Sequence, residues 1–325
     1  MPAAFNSCRL FVLFYFWCET ILSWRNFFFH MYEIRPIDPH DDKLMDAVAR
    51  LQMEVFPISV TKDSLRNNTL SRNGTTLYLG AFDGNELAAF NAFIGYSMHY
   101  NEQTIIAHQS CWTATAMSHR GKGLFQLLIN SAKDFLKQQG SGFIFGFPNV
   151  NSYPIFTQKL GFREMPLRRA FIPTAAFSRL LINRSVIMFP KNKLFDFRNC
   201  YLPYDAELIE LKKNQSGDIK VFGADNNIVW GKILVKQVKG IAINYFSVGG
   251  ITVNKPNLLR EVFYEIIKRA KANYIEIVGM ENNTAMNFFR YKYAASKTEP
   301  LIIFDLNHDT SSSNFNFYIG IKDVY

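Results

Sequence analysis

Thr113-Ala114-Thr115-Ala116-Met117-Ser118-His119-Arg120-Gly121-Lys122-Gly123-Leu124-Phe125 is the stretch on which the fold turns. A strand-like run rich in Thr and Ala gives way, through one short loop, to a helical period. The junction carries two glycines and two cations. Glycine lets successive backbone N–H groups turn inward on an anion, and the start of the following helix adds positive potential there. The arrangement suits a pyrophosphate. Neither G-x-x-x-x-G-K-[ST] nor G-x-G-x-x-G is present, which argues against a P-loop and against a dinucleotide fold.

Downstream of the loop, Leu124, Leu127, Leu128, Ala132, Phe135 and Leu136 recur at helical spacing opposite Lys133, Asp134, Lys137 and Gln138, and Gly140 supplies a stop. A buried-looking strand, Phe143 to Phe147, follows, then a helix from Asn151 to Leu160 with Pro154 in its first turn. Upstream, Tyr32 to Ile37 reads as a strand and Asp41 to Phe56 as an amphipathic helix carrying Leu44, Met45, Val48, Leu51, Val55 and Phe56. A short helix is expected around Lys62 to Asn67. Leu77 to Phe82, turned by Asp83-Gly84, then Glu86 to Tyr100 and Thr104 to Met117 make an antiparallel meander.

Sliding the sequence on itself at an offset of 132 matches Ile275-Glu276-Ile277-Val278-Gly279 to the strand at 143–147, Asn283-Thr284 to Asn151-Ser152 and Phe288 to Phe156. Leu258, Leu259, Val262, Phe263, Ile266 and Ala270 repeat the helical stripe, whereas Thr252-Val253-Asn254-Lys255 replaces Arg120-Gly121-Lys122-Gly123. The second copy is expected to keep the fold and lose the anion loop.

At 325 residues the chain has room for two domains, and 48% hydrophobic with 19% charged residues excludes disorder and a multi-span membrane protein. The formal net charge of +9 favours an anionic partner. No run of five basic residues points to nucleic acid. Cys8, Cys18, Cys111 and Cys200 lack metal-ligand spacing, so no metal is expected and a reduced cytoplasmic chain is the simplest reading. Residues 1–30 read as an apolar leader or a misassigned start. Leu10 to Cys18 is apolar, but Glu19 and Arg25 interrupt it before the ~18 residues a spanning helix requires, and Met31 directly precedes the first strand. A retained leader is the one route to a membrane.

The loop Arg120-Gly121-Lys122-Gly123, set between a strand and an amphipathic helix, resembles the cofactor-binding motif of GNAT N-acyltransferases, Q/R-x-x-G-x-G/A. Phe125 departs from the last small position and resembles a subgroup with an R-G-K-G-L-F sequence. Lys159-Leu160-Gly161-Phe162 is similar to the end of that family's closing helix. The resemblance implies a mixed, mostly antiparallel sheet flanked by helices, an α/β (α+β) fold duplicated along the chain. Its parts would be an acyltransferase domain at 31–175, a linker at 176–199 and a degenerate domain at 200–325. It implies acetyl-CoA as acyl donor: the backbone of Thr115, Ala116 and Met117 meeting the pantetheine arm, the amides of Arg120, Gly121, Lys122, Gly123 and Leu124 holding the pyrophosphate, and Asn151 meeting the cofactor.

The implied chemistry is attack of a neutral amine on the thioester carbonyl. A lysine-like amine with pKa ~10.4 needs on the order of 4 kcal/mol to become neutral at pH 7, so a base is of value. Strand 106–117 holds no carboxylate, Trp112 stands where related sequences carry an acid, and His108 is the candidate base. The family's proton-donating Tyr is replaced by Thr157, leaving Tyr153, one turn earlier, as candidate acid. The acceptor implied is a small primary amine, such as an amino sugar of surface-polysaccharide assembly. The alternatives are a non-catalytic acyl-CoA-binding scaffold and aminoacyl transfer of the tandem GNAT-like type.

Overall fold

The structure, a computed structural model, describes residues 32–69, 76–100, 103–174, 200–201, 206–224, 227–253, 256–280, 293–294, 300–310 and 315–316. The leader at 1–30, the linker at 176–199, and Asn283, Thr284 and Phe288 of the proposed repeat lie outside the described residues.

The Asp41 carboxylate accepts from the amides of Lys43 at 2.9 Å and Leu44 at 3.1 Å, and so starts α1 (Asp42–Val55). Met45, Val48 and Leu51 face inward, as the periodicity predicts. Helix α2 (Lys62–Thr69) follows and is tied to α1 by Arg66, whose guanidinium meets Asp42 at 2.8 Å. The meander forms as expected: β1 (Glu33–Pro36), β2 (Leu77–Asp83), β3 (Glu86–Tyr100) and β4 (Gln103–Thr115) lie side by side, each antiparallel to the next, with Gly84 at φ +59° in the tight turn. Helix α3 (Leu124–Gln138) then crosses the sheet, and β5 (Phe143–Gly146) returns parallel to β4.

After β5 the chain does something its pattern does not announce. β6 (Arg163–Met165) stays with the first sheet, but β7 (Leu167–Pro173) leaves it. The second half contributes β8 (Cys200–Tyr201), α4 (Ala206–Ser216), β9 (Lys220–Ala224), β10 (Asn227–Val238), β11 (Ile241–Val253), α5 (Pro256–Arg269), β12 (Tyr274–Met280), β13 (Tyr293–Ala294), β14 (Leu301–Asp305) and β15 (Phe315–Asn316). β7 pairs with β12 in the second sheet, and β14 inserts between β5 and β6 in the first. Each sheet therefore takes a strand from the other half.

Helices α1 and α2 and the α4 residues Leu208 and Ile209 build one core on the first sheet, and Trp230, Val278 and Met280 of the second half join it. Helix α3 builds a second core on the opposite face, with Leu124, Leu128, Ile129 and Leu136 meeting Phe156 and Ile302. Helix α5 covers the second sheet through Leu259, Val262, Phe263 and Ile266.

Antiparallel pair, crossing helix and parallel strand recur as β3-β4-α3-β5 and β10-β11-α5-β12. The offset of 132 places Leu124 on Pro256, the first residues of α3 and α5. It does not hold for the strand before. β4 ends at Thr115, well ahead of Leu124, whereas β11 runs on to Val253, close to Pro256. The loop itself, and not its charges alone, is shortened in the second half.

Because β14 covers β5 and burying each of Leu301, Ile302 and Ile303 is worth about 1.5–3 kcal/mol, a chain ending at Ala175 loses a strand from the middle of its sheet. Such a fragment is expected to show no cooperative unfolding transition in urea followed by circular dichroism, where the full chain shows one.

Candidate active site

Between β4 and α3, Met117–His119 form one tight helical turn and the chain then opens into the glycine loop. Gly121 and Gly123 both adopt φ +78°, and Gly123 immediately precedes α3. A Cβ at either position would meet nothing within 4 Å, so space is not what selects glycine. The left-handed backbone is: for another residue it costs roughly 1–2 kcal/mol. Behind the loop His119 is buried, shares a hydrogen bond with the Tyr32 hydroxyl at 2.8 Å and lies 3.5 Å from Glu86. That mooring fixes where the helix start points. Lys122 is exposed, its ammonium 5.8 Å from the Tyr32 ring, and Leu124 is buried in the α3 core.

The loop opens onto a cleft of about 940 Å³. Its cause is a parting of strands. β4 and β5 pair from Ala107↔Phe143 to Ser110↔Gly146; then β4 continues to Thr115 while the chain after Gly146 turns away through Phe147-Pro148-Asn149. One wall is Ser110 to Thr113 with Thr115 and Arg120; a second is Phe147 to Asn149 with Asn151, Ser152 and Ile155; a third is Phe56 to Val60, with Gln52 and Ser64, from α1 and α2. Arg120 is the one charged side chain among the described residues of the lining, and its Nε donates to the Thr115 carbonyl at 3.4 Å.

At the parting, β4 carries a bulge. Ala92 faces Cys111 and Phe90 faces Ala114, so Asn91 stands opposite both Trp112 and Thr113. Trp112 has φ +53°, a conformation that costs a large side chain about 1–3 kcal/mol and persists only where neighbours enforce it. Two do. Gln52 Nε2 donates to the Trp112 carbonyl at 2.7 Å, and buried Asn91 holds Thr113 through its hydroxyl and reaches Ser110 Oγ at 3.2 Å. Gln52 Oε1 and Trp112 Nε1 are buried and meet no hydrogen-bond partner among the described residues. An unmet buried group of this kind costs on the order of 1–3 kcal/mol.

Of the residues singled out in the sequence, Thr115, Arg120 and Asn151 line the cleft, with Gly121 and Gly123 at its mouth. Ala116 and Met117 do not line it: the Ala116 amide donates to the Ala88 carbonyl and the Met117 amide to Glu54 Oε1, both at 2.9 Å. Neither candidate for proton transfer lines the cleft. His108 is buried in mid-strand between Gly95 and Ile144, and Ile144 belongs to the α3 core. Tyr153 is turned to Glu164, to which its hydroxyl donates, and that bond pushes its pKa up. The expected helix at 151–160 forms over residues 153–159, its larger part, Ile155–Lys159, being one wide turn with Leu160 N bonded to Ile155 O at 3.1 Å, and Ser152 and Ile155 line the cleft where Tyr153 does not. Cys111 is a buried free thiol in the β4 wall.

The sequence reading passed over Gln52, which sits on the buried stripe of α1 beside Val48 and Leu51; a polar residue on an apolar face was the available signal. It also passed over Asn149, whose Oδ1 accepts from the amides of Asn151 and Ser152, both at 3.0 Å. Asn149→Ala removes that cap and is expected to lower stability by about 1 kcal/mol in urea titration.

Residues 33–165 match the family model described as acetyltransferase (GNAT) domain. No curated protein matches the sequence. Among solved structures, a probable N-acyltransferase from Enterococcus faecalis V583 superposes with a TM-score of 0.60 at 10% identity, covering 85% of this chain and 73% of that one. A GCN5-related N-acetyltransferase from Kribbella flavida gives 0.56 at 14%, covering 85% and 72%. One from Anabaena variabilis gives 0.53 at 9%, covering 85% and 73%. At these identities the likeness establishes the fold, and it extends over both halves. Loop and parted strands both lie within residues 33–165, the stretch that matches the GNAT acetyltransferase model.

Proposed function

We propose that the protein transfers an acetyl group from acetyl-CoA to the primary amine of a small acceptor. The observation that carries this reading is the moored glycine loop at the start of α3, opening directly onto the cleft between parted β4 and β5. Inward-facing amides and the Arg120 guanidinium would hold the pyrophosphate, and the slot beside Thr115 and Asn151 would take the pantetheine arm. The Met117 amide becomes available to the cofactor only when Glu54 releases it. The substrate thioester supplies an activated carbonyl; β4 holds it against the α1–α2 wall, and an amide of the bulged strand stabilises the oxyanion. The C–N bond forms, the C–S bond breaks, and coenzyme A departs as a thiol with the proton that the amine gives up.

Aromatic Phe56, Trp112 and Phe147 with neutral Ser and Asn side chains in the lining favour a hydroxylated ring, and an amino sugar of polysaccharide assembly is the acceptor class we assign. We treat residues 31–175 as the catalytic domain and 200–325 as a degenerate copy that supports it, on the recurrence of strand pair, helix and parallel strand. No described helix is long and apolar enough to cross a membrane. We assign the cytoplasm, a reducing compartment that fits the free thiol of Cys111. A non-catalytic acyl-CoA-binding role is the second reading, favoured by His108 and Tyr153 standing away from the cleft.

Calorimetric titration of acetyl-CoA into the protein is expected to show micromolar binding, weakened at least about tenfold in Gly121→Glu/Gly123→Glu, where two carboxylates face the diphosphate. Binding with no turnover on any amine would favour the scaffold reading; no binding by the folded protein would sink both. With its hydroxyl committed to Glu164, Tyr153→Phe is expected to change kcat/KM by less than about twofold across the pH profile.

A further inference from the structure

Three features of the cleft converge on the state in which its acceptor enters. Gln52 is 1% exposed, lines the cleft, and leaves Oε1 without a hydrogen bond among the described residues while Nε2 is fixed to the bulge. The charge in the described lining is the Arg120 guanidinium. The carboxylate of Glu54, two residues along α1, is directed instead to the Met117 amide. An ammonium arriving here gives up its hydration for neutral amide and hydroxyl groups, with no carboxylate among the described lining residues to pair with it. An uncharged amine gives up far less. It has an N–H for Gln52 Oε1 and keeps its lone pair for the thioester carbonyl, the form that alone can attack.

We propose that Gln52 Oε1 receives the N–H of the attacking amine, and that the enzyme therefore selects primary amines already uncharged near neutral pH over strongly basic alkylamines. This rests on the acyl-transfer reading of the cleft and specifies its substrate class. Gln52 is then a specificity residue with two ends: one holds Trp112 in its bulged conformation, the other aligns the nucleophile beside it. The wall supplies orientation, and the acceptor's own low basicity does the work a carboxylate base would do. The step balances without a further reagent, since the nitrogen's surplus proton and the departing sulfur's need for one cancel.

The test uses the full chain at pH 7 and three ring amines of similar size: aniline, glucosamine and cyclohexylamine, with thiol release as the readout. Acetyl-CoA binding by calorimetry comes first; its absence overturns the acyl-transfer reading itself. Given binding, kcat/KM for aniline and glucosamine is expected to exceed that for cyclohexylamine by about tenfold or more. Gln52→Met, which introduces no buried charge, is expected to lower the weak-base rates about tenfold and to reduce the preference over cyclohexylamine. Gln52→Glu places a carboxylate where the amide stood and is expected to move the preference toward cyclohexylamine. A wild type that prefers cyclohexylamine overturns the proposal, as does Gln52→Met with undiminished weak-base rates. So does acetyl-CoA binding with none of the three amines acylated. Should Gln52→Glu fail to fold, Gln52→Met and the wild-type ranking decide.

Discussion

The separation of β4 from β5 after Ser110 and Gly146 is the constraint on which the rest of the site depends. Two parallel strands that stayed paired would bury their backbone groups in one another and leave a closed sheet. Parting them exposes main chain, and that exposure has to be enforced, because the pairing it forgoes is favourable. The enforcement is local and polar. Pro148, which has no N–H to donate, follows the last paired residues of β5, and the β4 bulge re-aims Trp112 and Thr113 just where β5 departs. Gln52 from α1 and Asn91 from β3 grip the bulge from two directions. The helix that lines one wall of the cleft is thus the same helix that holds the strand open.

The anion loop follows a different logic. Its glycines are not relieved of any clash; they supply a left-handed backbone at Gly121 and Gly123 that orients amides at the head of α3. Orientation is useful only if the loop stays in place, and His119, buried against Tyr32 and near Glu86, keeps it there. In the second half β11 extends almost to α5, so the residues that could form a cradle are taken up by strand. The connection between strand and helix is short there, while helix-on-sheet packing like that of α3 is present.

Elements governed by local pattern were readable before any coordinates. The α1 stripe, most of the α3 stripe and the Asp83-Gly84 turn each depend on neighbours within a few residues and form as read, although Leu127 of the α3 stripe is exposed. What escaped the sequence depends on partners far along the chain. Gln52 looks like a defect in an apolar stripe until the Trp112 carbonyl, sixty residues away, is placed against it. His108 and Tyr153 have the right chemistry in the right segments. Which way a side chain points, though, follows from bulges and from the pitch of one wide turn, and neither is encoded in spacing.

The exchange of β7 and β14 explains why a second half without an anion loop is nonetheless kept. An edge strand of the first sheet at β5 would present unpaired main chain beside the cleft; β14, drawn from beyond α5, covers it with Leu301, Ile302 and Ile303. In return β7 completes the second sheet against β12. Neither half can unfold alone without stripping a strand from the other, and Trp230, Val278 and Met280 tie the second sheet into the core beneath α1. Since α1 carries Gln52, the geometry of that wall of the cleft is referred through the shared core to the second half. The second half therefore helps to hold the cleft in shape, and none of its described residues lines it.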